Sequence, residues 1–145
     1  MKLLRYQENR EYMGALREVR SSWFRCQRAF EDLTEIWLAN CNLSTGAIEM
    51  SLERQGEFEL AGKFMDKPFT VRCVAKVKER GCLGQVLVFS PHSVTAENVL
   101  ILCFYLDQQG DLISEDGTTV GTAGDSQEYR YYLLLCELSL RLAEF

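Results

Sequence analysis

The chain has 145 residues, of which 47% are apolar, 26% charged and 11% aromatic, proportions of an ordinary soluble globular domain that exclude the disordered and fibrous classes. Folding at this length hides about 70% of the surface of the unfolded chain, so residues 1–145 are expected to form one domain with a core of its own, without metal or disulfide staples. A net charge of −5 and a pI near 5.0 argue against nucleic acid as a partner, because binding a phosphate backbone gains from the whole field as well as from local contacts.

The first residues, Met1-Lys2-Leu3-Leu4-Arg5, carry charge but no apolar signal segment, since Gln7, Glu8, Asn9, Arg10 and Glu11 follow at once. The longest apolar runs, 99–106 and 131–136, fall far short of the ~20 residues that cross a bilayer. A cytoplasmic chain without membrane contact is the resulting expectation. Six cysteines, Cys26, Cys41, Cys73, Cys82, Cys103 and Cys136, sit in or beside apolar segments with no CxxC or CxxH pair. They read as reduced thiols acting as small core hydrophobes, and no metal site is expected from them.

A helix is predicted over residues 9–41, where Leu16, Val19, Trp23, Cys26, Phe30, Leu33 and Trp37 recur at steps of three and four. About 30 helical residues would reach ~45 Å, more than a domain of this size needs, and Ser21-Ser22 marks the place for a kink. The same step permits a coiled-coil seam. Bulky Trp23, Trp37 and Phe30, with Phe24, Ile36 and Leu38 widening the face, favour a helix lying across a sheet instead. Residues 1–30 carry a net +4 and the rest −9, which reads as a solvated basic helix face that pairs with acidic strands or an acidic partner.

After Asn42 the period changes from 3.6 to 2. Half-buried antiparallel strands are predicted at 46–53, 57–65 and 69–78, with glycines Gly56, Gly81 and Gly110 suited to turns that need a left-handed residue. The next two, 82–89 and 98–106, are apolar on both faces. Such strands should be covered on both sides, so a second helix, a partner subunit or a ligand is expected on the second face. A short strand at 111–114 and a glycine-containing loop at 117–125 lead to a helix at 126–143, capped by Asp125 or Ser126 and apolar over most of its circumference.

The fold class is α+β: a long N-terminal helix, a five- to six-stranded antiparallel meander and a C-terminal helix packed on the sheet. This order resembles parts of the helix-grip and cystatin-like folds.

No catalytic constellation emerges. His92 is the only histidine and stands in the loop Ser90-Pro91-His92-Ser93, with nothing in the sequence to place it near a nucleophile. Asp107, Asp111, Glu115 and Asp116 crowd acidic charge, but their spacing is not that of a calcium loop. Gly117, Gly121 and Gly124 lack the Gly-Lys-Ser/Thr of a phosphate loop. No cofactor is implied. The expectation is a non-enzymatic protein-binding module, of adaptor, dedicated-chaperone or inhibitor type, forming a homodimer through Leu135, Leu138, Leu142 and Phe145. Small acidic secretion chaperones are similar in size and pI. The alternative is a domain with an apolar-ligand pocket between helix and sheet, lined by Trp23, Phe30, Phe58, Phe64 and Tyr132, with room for an enzymatic role.

Overall fold

Helix α1 (Tyr6–Asn42) runs unbroken through Ser21 and Ser22, in a computed structural model that describes residues 6–42, 50–79, 81–118, 120 and 124–145. Its 37 residues correspond to about 55 Å. Ser22 docks the helix instead of kinking it: its hydroxyl donates to the Cys82 carbonyl at 3.0 Å and accepts the Cys82 N–H at 2.9 Å. From Cys26 to Cys41 the three-and-four stripe is buried against the sheet, whereas Tyr12 and Leu16, further toward the N-terminus, are exposed.

Six antiparallel strands follow in chain order across one sheet: β1 (Met50–Gly56), β2 (Glu59–Phe64), β3 (Lys67–Lys78), β4 (Gly81–Pro91), β5 (Asn98–Leu106) and β6 (Leu112–Ile113). Helix α2 (Gln127–Glu144) closes the fold. The α+β class and its order of elements are those expected from the sequence. Three local readings differ. The start of the first expected strand, 46–49, lies outside the described residues, and the strand continues instead to Gly56. The sixth strand is only two residues long. Of the turn glycines, Gly110 is left-handed (φ 84°), but at the β3–β4 turn that conformation falls on Glu79 (φ 57°), not on Gly81.

Register explains the core. Val71 pairs with Val88, Cys73 with Val86, and Val86 with Phe104, so these side chains share one face of the sheet. Phe30, Leu33 and Trp37 from α1 and Tyr131, Leu135, Leu138 and Leu142 from α2 join them in one continuous buried cluster. Both helices therefore cover the same face. The seam between them is fixed by a buried bond in which the Trp37 indole N–H donates to the Tyr131 carbonyl at 2.8 Å. Helix α2 is held at both ends. Ser126 caps its N-terminus by accepting the Tyr129 N–H, the Tyr131 hydroxyl donates to the Gly110 carbonyl at 2.6 Å, and Lys67 donates to the Leu142 carbonyl at 2.9 Å near its C-terminus.

One glycine is demanded by close approach rather than by φ. A Cβ on Gly62 would stand 2.3 Å from the Ser51 carbonyl oxygen and 2.8 Å from Phe69 Cζ, so the β1–β2–β3 junction closes only over a bare Cα.

The two tryptophans, alike in the sequence pattern, differ in role. Trp37 is wholly buried and meets Phe104 at 6.5 Å between ring centres, whereas Trp23 is half-buried and leans on Phe58 at 6.0 Å. Trp37→Ala should lower the unfolding free energy by about 3–5 kcal/mol, since it removes a core side chain and the indole bond to the Tyr131 carbonyl. Trp23→Ala should cost clearly less. Urea denaturation of both variants checks this; equal shifts in midpoint would contradict the assignment.

Candidate contact surface

Because both helices lie on one face, the other face of the sheet has no cover among the described residues. The expectation that strands 82–89 and 98–106 are covered on both sides is thus met on one side only. The outward positions alternate with the buried ones along each strand: Leu83, Gln85, Leu87 and Phe89 on β4, Leu100, Cys103 and Tyr105 on β5, and Ile113 on β6. Cross-strand pairing aligns Leu87 with Cys103, Phe89 with Leu100 and Tyr105 with Ile113. The outward positions of β1–β3 are mostly of another kind, Ser51, Glu53, Glu59, Lys63, Thr70, Arg72 and Lys76, with Ala61 and Val74 the apolar exceptions. The outer face therefore divides into a charged half and an apolar half.

Partial shielding keeps most of the apolar half half-buried rather than open. Lys76 lies over the Tyr105 ring at 5.0 Å and its ammonium reaches the Tyr105 hydroxyl at 3.2 Å. Leu100 remains 46% exposed. Open clefts border this face at its two ends. One open cleft of about 790 Å³ involves Lys76, Leu83, Tyr105 and Ile113, and another of about 600 Å³ involves Ser51, Lys63, Thr70 and Phe89.

Leu135, Leu138 and Leu142, expected at a partner surface, are fully buried in the monomer. The physical reason is the interruption of the opposite stripe of α2 by Glu137 and Arg141, which leaves Tyr131, Leu134, Leu135, Leu138 and Leu142 as the continuous apolar side facing the sheet. Phe145 alone of the four is accessible, with its ring set edge-on to His92 at 6.1 Å. The outward apolar residues of α2 are instead Tyr129, Leu133 and Leu140.

The five aromatics expected around a ligand pocket are not brought together around a space. Phe30 and Phe64 belong to the core, Trp23 and Phe58 pack on its margin against each other, and Tyr132 is half-buried on α2 beside Cys136. None of the clefts described here is lined by them. His92 serves its own loop, where its Nδ1 accepts the Val94 N–H at 3.2 Å. Arg54 links β1 to α1 by donating to the Glu31 and Glu35 carboxylates at 2.7 and 2.9 Å, an exposed pair of contacts worth at most about 1 kcal/mol each. The ion pairs described between α1 and the sheet thus come from acidic residues of the helix.

Among the described residues, no group of three histidine, cysteine, aspartate or glutamate side chains is placed to hold a metal ion, and no helix is long and apolar enough to cross a membrane. The cysteines stand unpaired, four of them buried. Burial pushes the Cys26 and Cys41 thiols up to about 11 and the Cys73 thiol up to about 12, so they remain protonated and unreactive at neutral pH. No protein-family model, curated protein or solved structure matches the chain.

The sequence did carry a signal for this surface, in the loss of alternation along β4 and β5; it did not say which apolar set the helices would take. The thiols offer a check of the burial pattern. In the native state at neutral pH, half-buried Cys136 on α2 should react first with an aromatic disulfide reagent while Cys26, Cys41 and Cys73 stay protected, and all should react in denaturant. Mass mapping that finds Cys73 modified at the rate of Cys136 in the native protein would contradict it.

Proposed function

We propose that this chain is a protein-binding module of the cytoplasm that acts by contact rather than catalysis, and that a second copy of the chain covers the apolar half of its outer sheet face. The observation that carries the reading is the division of that face: Leu83, Leu87, Phe89, Leu100 and Ile113 are outward while the inner face is already filled by two helices. Outward strand positions on a wet face take polar residues, as most of those on β1–β3 are. A contiguous apolar sheet face is the kind of surface that dimer interfaces bury, like a core cut in half. The unpaired thiols support a reducing compartment.

This reading moves the homodimer surface from α2 to the sheet, and two leucines separate the two placements. Leu87→Glu sets a charge on the outer face, and Leu138→Glu sets one in the core. By sedimentation equilibrium the wild type should have twice the chain mass of 16.7 kDa at micromolar concentration. Leu87→Glu should sediment as a folded monomer with its helical circular dichroism retained, and Leu138→Glu should unfold. A monomeric wild type, or a Leu87→Glu protein that stays dimeric, would overturn the assignment of the dimer to this face.

A further inference from the structure

The edge of the sheet beside α2 is unpartnered in a different way from its face. Strand β5 pairs with β4 along its length except for a bulge at Ile101, between the pairs of Val88 with Leu102 and Phe89 with Leu100, but on its other side β6 pairs only Tyr105 and Leu106. After Ile113 the chain turns back on itself, the Ser114 N–H donating to the Thr118 carbonyl at 2.9 Å, so among the described residues nothing continues β6 alongside residues 98–104. An edge of this kind presents a row of N–H donors and C=O acceptors that only another extended chain satisfies together. At one point a side chain stands in for that chain. Arg141 donates from Nη1 to the Ile101 carbonyl at 3.4 Å, while its Nε is held by Glu137 at 3.0 Å.

Beside this edge lies a cleft of about 740 Å³. Its far wall is α2, with Leu133 41% exposed, and Phe104 lies at its base. The end next to β6 is acidic. Glu115 lies within hydrogen-bonding reach of the Cys103 thiol, and the Asp116 carboxylate accepts from the Ser114 and Thr118 hydroxyls and from the Thr118 N–H at 3.0 Å. Those bonds hold Asp116 well below the usual carboxylate range, at about 2, so it stays ionised. No cation among the described residues pairs with either carboxylate, and Arg141 is already taken by Glu137.

We propose that this groove takes an extended, basic segment of a partner protein as an added strand on β5, its lysine or arginine lying at the β6 end against Glu115 and Asp116. The inference rests on the reading of the chain as a protein-binding module and names the chemistry of its partner. Backbone pairing along β5 supplies the affinity, exposed Leu133 receives the apolar side chains that point toward α2, and the acidic end selects charge. A second copy fits the edge poorly. Antiparallel pairing of two β5 edges would set the acidic end of each against Glu97 of the other, a like-charge contact.

The test uses labelled nine-residue peptides of alternating valine and threonine, followed by fluorescence anisotropy with the full chain. Two carry a pair of lysines, at the N-terminus or the C-terminus; two carry glutamates instead; one repeats the better lysine peptide with alternate backbone amides methylated. A lysine peptide should bind saturably, its glutamate counterpart roughly fivefold more weakly, and the methylated form not at all. Leu133→Glu should abolish binding with the sedimentation mass and circular dichroism unchanged, and Glu115→Lys, which leaves the acidic end neutral beside Asp116, should erase the charge preference in a folded protein. Absence of binding by every peptide, equal binding of lysine and glutamate forms, or undiminished binding of the methylated form overturns the strand-addition proposal. If that happens while the wild type remains a dimer dispersed by Leu87→Glu, the protein-binding reading survives alone. If Leu133→Glu disperses the dimer, the edge belongs to a second copy and the peptide proposal fails.

Discussion

The Trp37 indole N–H gives its hydrogen bond to the carbonyl of Tyr131, and that buried contact joins two helices on one side of a single sheet. Trp37 and Tyr131 are both fully buried, so the bond replaces water for a donor and an acceptor that have no other access to it. Once α1 and α2 share a face, the strands beneath them are satisfied from above and open from below. The filled inner face, the apolar half of the outer face and the free length of β5 are three consequences of this one arrangement.

The two edges of the sheet show how differently its borders are defended. On β1 the edge is short and largely exposed, with Glu53, Arg54 and Gln55 in succession and Arg54 tied back to Glu31 and Glu35 of α1. Charged side chains on a short strand discourage pairing with a stranger. On β5 the free stretch is apolar from Val99 to Phe104, and its nearest charged guard is the single Arg141 contact to Ile101. A sheet that protects one edge and leaves the other apolar presents a directional surface for an incoming chain.

Much of this fold is legible in the sequence because its periods are unambiguous. The step of three and four from Leu16 to Trp37 and the strict alternation from Phe69 to Val77 belong to different geometries, and the structure has a helix and a strand where they change. Helix α2 defeats the same reasoning. It carries apolar residues on two sides, and only packing reveals that Leu135, Leu138 and Leu142 turn inward while Leu133 and Leu140 turn out. The stripe broken by Glu137 and Arg141 is the cue that distinguishes them, visible once the helix is seen against the sheet. Turn geometry was also hidden. The β2–β3 reversal uses Met65 (φ 49°) and Asp66 (φ 66°), a left-handed pair without glycine, so its conformation is imposed by the flanking pairs Phe64 with Lys67 and Lys63 with Pro68. The outer face was legible only as a need for cover, since alternation states that a side chain points away from the helices and not what meets it.

An isotope-filtered NOE spectrum of a one-to-one mixture of methyl-labelled and unlabelled chains tests the placement of the dimer surface most directly. Intermolecular cross-peaks are expected from the methyl groups of Leu83, Leu87 and Leu100, which lie on the apolar half of the outer face. A spectrum without intermolecular peaks, or one whose peaks come only from Leu133 and Leu140 of α2 or from Leu16 of α1, would contradict the account.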